Sequence, residues 1–355
     1  MADKKKLSDI SWKAFKALSL TEKGCYFRGK HTLIAQQFTR SEIEELCRLA
    51  TRIKRINKRR AGANFLRGLL SDKRAMLYFA QPSSRTYLSH NAACQILGLN
   101  TMDVRDQKTS SEVKGETPED TIRTFSSYAD MIIMRHPVGG FAERVAWMMA
   151  HTRREIPILN AGSGADQHPT QALLDIYTLQ RSFEKIGGID GKHVAFVGDL
   201  ARGRTVRSLA WLLTLYKDMH LYFIAPDSLQ IGQDILDQLD EAGTKYVVTE
   251  DFESVMPKAD AIYMTRIQDE WDVDGEGSTT EASNYYIGAE HMDIIKDTTV
   301  ILHPLPRRQE ISTEIDNDPR AVYWRQMRNG MWIRAALILK TFGREDEVNR
   351  YYDDY

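Results

Sequence analysis

The run Arg74-Ala75-Met76-Leu77-Tyr78-Phe79-Ala80-Gln81-Pro82-Ser83-Ser84-Arg85-Thr86 decides how the rest of the chain is read. Residues 75–79 have the length and aromatic content of a buried strand. Beyond the run, Leu88, Ala92, Ala93, Ile96 and Leu97 fall at helical spacing, and Gly98 supplies a stop. A strand, a tight hydroxyl-bearing loop and a helix start form an anion pocket. The first backbone N–H groups of the helix lack intrahelical partners, and the positive end of the dipole points at the loop. Arg85 can grip a phosphate with two parallel donors, while Ser83, Ser84 and Thr86 add directed hydroxyls. An N-cap serine beside a solvated arginine fits the same letters. The stretch alone leaves both readings open.

Outward from this run, strand and helix patterns alternate. Apolar runs suited to buried parallel strands are 75–79, 131–134, 156–159, 193–197, 221–225, 245–248, 261–264 and 299–302. Amphipathic segments at 141–150, 170–183, 205–215, 231–239 and 323–341 separate most of them. The alternation predicts an α/β fold of two doubly wound domains, each a parallel sheet flanked by helices, with the active site in the cleft between them. The best division lies at Gln167-His168-Pro169-Thr170, because Pro169 suits the first position of a long helix. The expected plan is a peripheral arm over 1–30, a first domain over 31–168 completed by the terminal helical segment 323–355, and a second domain over 169–322.

At 355 residues and a net charge of −1, the chain offers no bulk attraction to nucleic acid or an anionic membrane. The basic run at 52–60 follows a helix pattern opened by Thr39 and Glu42, so it reads as a solvated helix end. Cys25, Cys47 and Cys94 are odd in number and form no Cys-x-x-Cys, which fits a reducing compartment and argues against a zinc site made by this chain alone. The Lys-rich N-terminus lacks an apolar segment behind it, and no apolar run approaches membrane-spanning length. A cytoplasmic location is expected.

In open α/β sheets ligands sit beyond the carboxyl ends of strands, and polar residues recur there. Arg135 follows the run at 131–134. His168 precedes a helix whose N-terminus disfavours protonation, so a neutral ring there can donate to a carbonyl oxygen gaining charge. Gln171 can meet an NH₂ group. Ser110 and Lys114 stand in a polar loop that can deliver a hydroxyl and an ammonium after moving. Arg204 closes Asp199-Leu200-Ala201-Arg202-Gly203-Arg204, which occupies the place of a dinucleotide fingerprint without its glycines, so a dehydrogenase is excluded. Arg266 and Gln268, two apart, can point the same way on extended chain. His303-Pro304-Leu305-Pro306-Arg307 is a proline-locked turn whose carbonyls can accept from a ligand. Each of these taken singly also reads as a solvated loop residue or a helix cap. Their sum has no paired carboxylates, no cysteine-nucleophile setting and no metal cluster. It describes a site for small, heavily anionic substrates that works by positioning and charge stabilisation, without cofactor.

On these residues the chain resembles the aspartate/ornithine carbamoyltransferase family from about residue 30 to about 340. The matching motifs are Ser83-x-Arg85-Thr86, Ser110 with Lys114-Gly115-Glu116-Thr117, Met134-Arg135-His136-Pro137, Gln167-His168-Pro169-Thr170-Gln171, Gly198-Asp199-Leu200 with Gly203-Arg204-Thr205, Thr265-Arg266-x-Gln268, and His303-Pro304-Leu305-Pro306-Arg307. The resemblance implies that Ser83, Ser84, Arg85, Thr86, Arg135, His168, Gln171, Leu305 and Pro306 bind carbamoyl phosphate. Ser110 and Lys114 would join them from a neighbouring subunit, in a homotrimer with shared sites. Arg85, Thr86, Arg135 and His168 would be the catalytic group. Arg204, Arg266, Gln268 and Lys114 would bind L-aspartate, giving N-carbamoyl-L-aspartate and phosphate in an early step of pyrimidine biosynthesis. Pro304 stands where ornithine enzymes of the family carry cysteine, so aspartate is the expected acceptor. Another amine, such as an ornithine derivative, and a weakly active scaffold subunit are the rivals; a regulatory chain or pathway-enzyme partner stays open.

The chain also departs from the family pattern. Gln81 replaces the usual Glu or Lys, and Tyr87-Leu88-Ser89-His90-Asn91 replaces Arg-x-Ser-Phe-Glu. Trp271 falls near the place of an arginine that an acid at position 81 clamps in some relatives, in a loop enlarged over 269–277. Ordinary chemistry with altered closure and weak cooperativity is expected.

Overall fold

A computed structural model describes residues 5–105, 115–164, 166–266 and 285–354 of the chain. Their strands are β1 (Arg74–Phe79), β2 (Asn100–Val104), β3 (Met131–His136), β4 (Ile158–Ser163), β5 (His193–Val197), β6 (His220–Ile224), β7 (Lys245–Thr249), β8 (Ala261–Met264) and β9 (Val300–Leu302). They form two parallel sheets, ordered β2-β1-β3-β4 and β7-β6-β5-β8-β9. The chain divides into two units: residues 1–173 with 330–355, and residues 174–329 inserted between them. It passes from one to the other inside two helices, Pro169–Phe183 and Tyr323–Thr341.

In the first unit β1 is buried from Ala75 onward and β3 throughout, because both faces of a parallel sheet are covered. Tyr78, Ile132, Met134, Val145 and Ile158 belong to its core, where each fully buried large side chain contributes about 1.5–3 kcal/mol. The described residues before 31, expected as a peripheral arm, carry Leu7, Phe15 and Phe27 into this core. Their short helices each hold too few turns to show an apolar period in the sequence. Ser11 and Ser19 cap two of them. Trp147 Nε1 then donates to the Ile10 carbonyl at 2.8 Å.

Two strands differ from the sequence expectation. β2 lacks an apolar run because it is a half-exposed edge, formed by its pairing with β1. β4 runs on through Asn160, Gly162 and Ser163 instead of ending at 159. Asn160 makes this possible: its amide donates to the Leu33 carbonyl at 2.9 Å, and its oxygen accepts from Gly162 N–H at 2.8 Å.

In the second unit, Val197, Ile224, Ile262, Met264, Ile301 and Tyr323 belong to the core. Each sheet reverses its winding direction once. In the first the switch lies between β1 and β3, and in the second between β5 and β8. Such a switch opens a crevice at the carboxyl ends of the two strands, where open α/β sheets take their ligands.

Candidate active site

The first switch point carries the Ser83–Thr86 run and Arg135. β1 and β3 pair in register with Phe79 opposite Arg135, and Gln81 N–H reaches the Arg135 carbonyl at 3.3 Å. Ser83 precedes the helix Ser84–Leu97 in extended conformation, and its side chain makes no cap hydrogen bond. The simple N-cap reading therefore fails, and the hydroxyl is not committed to the helix end. Thr86 is buried, while Ser84 and Arg85 are exposed at the mouth. Gly98 ends the helix at φ 82°, where an added Cβ would lie 1.9 Å from the Arg67 carbonyl oxygen.

Arg135 is buried, and its Nη1 donates to the Ala161 carbonyl at 3.3 Å. The β3–β4 register shifts between Met134 and His136, an irregularity of the kind that re-aims a side chain at a sheet end. His136 beside it accepts the Val138 N–H at Nδ1 (3.2 Å) and stacks on Phe141 with ring centroids 3.9 Å apart. Burial holds its pKa down to about 4.

Beyond β4, His168 immediately precedes the helix beginning at Pro169, and its carbonyl accepts from Gln171 and Ala172 N–H. Both His168 and Gln171 are buried. Gln167 is tied back to the start of the unit: its amide oxygen accepts from Ala35 N–H, and its amide nitrogen donates to Gln36, each at 3.2 Å.

The second switch point carries Arg204, which opens the helix Arg204–Leu213 after β5, and Arg266 just past β8. Asp199 is fully buried and accepts the Arg202 N–H at 3.1 Å, which shapes the loop before Arg204. Gly198 adopts φ 111°, and a Cβ there would meet the Thr265 carbonyl oxygen at 2.3 Å, so the two loops approach closely only with glycine. After β9, the backbone N–H of His303 donates to Gln326 at 2.9 Å, while its ring accepts the Leu305 N–H at Nδ1 and meets Glu310 at Nε2, both at 2.7 Å. Burial lowers the His303 pKa against the pull of Glu310, with the charges of Arg266 and Arg307 adding to the lowering. Leu305 has φ 58° and a cis bond to Pro306. Arg307 is engaged by Asp316 and the Tyr323 hydroxyl.

The first unit thus gathers Ser83, Ser84, Arg85, Thr86, Arg135, His168 and Gln171 at one sheet end, and the second gathers Arg204, Arg266, Leu305 and Pro306 at another. Ser110, Lys114, Gln268 and Trp271 lie outside the described residues. Sequence reasoning missed His90 and Glu310, which contact the first and last of these stretches from beneath. Their signals were short-range: His90 is one helical turn after Thr86, and Glu310 follows the proline-locked turn. Cationic side chains and a helix N-terminus at the first sheet end suit a phosphate, and two arginines at the second suit carboxylates. Among the described residues, no group of three or more His, Cys, Asp or Glu is placed to hold a metal ion.

Two family models match the chain. Residues 30–181 match the carbamoyl-P binding domain of aspartate/ornithine carbamoyltransferase, and residues 190–341 match its Asp/Orn binding domain. A chloroplastic aspartate carbamoyltransferase 1 of Pisum sativum is 40% identical over 317 residues, covering 89% of this chain and 79% of the relative. The aspartate carbamoyltransferase catalytic subunit of Thermococcus gammatolerans is 38% identical, covering 89% and 99%. The aspartate transcarbamoylase of Trypanosoma cruzi, solved with carbamoyl phosphate and aspartate, superposes with a TM-score of 0.78 at 38% identity, covering 89% of this chain and 97% of that one.

Proposed function

Because this chain belongs to the aspartate/ornithine carbamoyltransferase family, we propose that it transfers the carbamoyl group of carbamoyl phosphate to the amino group of L-aspartate, releasing N-carbamoyl-L-aspartate and phosphate. The observation that carries the reading is the placing of one anion-collecting cluster at each switch point, at the carboxyl ends of β1 and β3 and of β5 and β8. A reaction between two anionic substrates needs both.

In this reading Ser83, Ser84, Arg85, Thr86 and Arg135 hold the phosphate. Thr86, Arg135 and His168 donate to the carbamoyl oxygen, and Gln171 with the carbonyls of Leu305 and Pro306 takes the NH₂. Arg204 binds the α-carboxylate of aspartate; Arg266, Gln268 and Lys114 bind the β-carboxylate. The amine attacks the carbamoyl carbon, the carbonyl electrons move to oxygen, and the tetrahedral oxyanion is held by preorganised donors. The C–O bond to phosphate then breaks, and the departing phosphate takes the amine proton. Measuring phosphate release across a panel of amines, with a bisubstrate phosphonate as competitor, tests the assignment. Turnover with an ornithine derivative but not with aspartate would overturn it.

Ser110 and Lys114 reach the site from a neighbouring subunit of a homotrimer. Mixing inactive Arg85→Ala and Lys114→Ala chains should then restore part of the activity, since some mixed sites contain neither lesion. No recovery despite subunit exchange would refute sharing. The pathway place is an early step of pyrimidine synthesis. The cysteines Cys25, Cys47 and Cys94 are all unpaired, which supports a reducing compartment, here the cytoplasm. Imaging of the tagged full chain tests that placement.

A further inference from the structure

His90 lies one helical turn after Thr86, with its side chain wholly buried beneath the Ser83–Thr86 run. Its Nδ1 stands 2.8 Å from the Thr86 carbonyl oxygen. A carbonyl only accepts, so Nδ1 carries the hydrogen, and in the neutral ring Nε2 keeps a lone pair. That Nε2 is buried and has no hydrogen-bond partner among the described residues. Two guanidinium groups act on the ring, those of Arg334 and Arg135. Arg334 also donates to Ser89, the residue before His90, while Arg135 donates to Ala161. The Phe79 ring, at the end of β1, stands edge-on with its centroid 6.5 Å away.

The contact with a carbonyl one turn back is not itself unusual. His151 makes the same contact with Trp147 at 2.8 Å, on an exposed helix face. What distinguishes His90 is its setting. The carbonyl it holds belongs to a residue of the anion loop, and one of the charges acting on it is that of Arg135, at the end of β3. Burial first, then the charges of Arg334 and Arg135, hold its pKa well below the ordinary histidine range. The ring is therefore neutral, with its one N–H directed at the Thr86 carbonyl.

We propose that His90 is a positioning residue of the phosphate grip: its Nδ1–H fixes the first turn of the Ser84–Leu97 helix through the Thr86 carbonyl. An apolar side chain fills the same space but offers Thr86 no donor. The inference rests on the assignment of the phosphate to the Ser83–Thr86 run.

The test compares His90→Phe and His90→Asn in the full chain, with carbamoyl phosphate as substrate and inorganic phosphate as inhibitor. Asparagine keeps an N–H that can reach the Thr86 carbonyl. In His90→Phe, the KM for carbamoyl phosphate and the phosphate inhibition constant should each rise about tenfold, the scale of one buried hydrogen bond. The aspartate KM at saturating carbamoyl phosphate should change by less than about twofold, a spread below that scale. His90→Asn should recover most of the loss. His90→Leu repeats the comparison should phenylalanine not fit the core. Wild-type phosphate inhibition in the apolar variants, or an asparagine variant no better than they are, would overturn the proposal. Arg85→Ala separates the two layers. If it weakens phosphate while the apolar His90 variants do not, only the His90 inference fails; if it leaves phosphate binding unchanged, the loop assignment fails.

Discussion

Glu310 accepts the Nε2 hydrogen of His303 at 2.7 Å, and this single contact decides what the other ring nitrogen can do. With the hydrogen on Nε2, Nδ1 is left to accept the amide of Leu305, also at 2.7 Å. The carbonyls assigned to the carbamoyl NH₂ thus sit on a turn held by a tautomer. Glu310→Leu removes the acceptor and should cost about 1.5–3 kcal/mol of stability, the range for a hydrogen bond to a charged group. Turnover should fall as the turn loosens, while Glu310→Gln, which keeps an acceptor oxygen, should retain most activity. Urea unfolding alongside steady-state kinetics checks both, and equal losses in the two variants would contradict this account.

Arg85 lies exposed at the mouth of the first cluster, so its removal should leave the core intact. Arg85→Ala should lower kcat about 10²–10³-fold, the effect of losing one preorganised charge-stabilising donor. Its thermal midpoint should stay close to wild type. A large drop in the midpoint would mean that the side chain serves the fold instead.

The second cluster predicts a different kinetic signature. Arg204→Ala and Arg266→Ala should raise the aspartate KM and leave the inhibition constant of inorganic phosphate unchanged. Each removes a contact to one carboxylate, so the rise should be about ten- to a hundredfold, corresponding to about 1.5–3 kcal/mol. Should either mutant weaken phosphate as much as aspartate, the division into two anion clusters would be wrong.

Acid should weaken the first unit in a definable window. Burial holds the pKa of His136 at about 4, whereas an unfolded histidine titrates near 6.5. Below about pH 6.5 the unfolded chain takes up a proton that the folded ring refuses, so stability is full above that pH and falls toward pH 4, by up to about 3 kcal/mol. Protonation would also end the acceptance of the Val138 N–H at Nδ1. His31 and His90 are lowered in the same direction, chiefly by burial. Urea unfolding at two pH values, in wild type and His136→Asn, should show a smaller acid loss in the variant. An identical loss would remove His136 as a source.

The alternation of buried runs and amphipathic segments made most of both sheets legible, because parallel strands covered on two faces must be apolar throughout. β2 escaped, since a half-exposed edge strand owes its conformation to its neighbour and not to its own composition. The same logic hid the packing before residue 31, where Phe15 and Phe27 enter the core from helices too short to repeat a pattern. At the candidate site, residues on loops after strands could be read one by one, because a charge at a strand end has few structural reasons to be there. His90 and Glu310 could not. A buried histidine in a helix and an acid after a turn have ordinary spellings, and only their partners, Thr86 and His303, give them meaning.

The insertion of residues 174–329 within the first unit sets an order of completion during synthesis. The second unit has all its residues once Asn329 is made. The first still lacks Ile333, Ala336, Leu337, Ile338 and Val348, every one of them buried in the finished protein. A nascent chain therefore finishes its aspartate-side sheet while the phosphate-side unit, begun first, waits with an open core for its last 26 residues, 330–355. Truncation near the C-terminus should accordingly damage the beginning of the protein more than its middle.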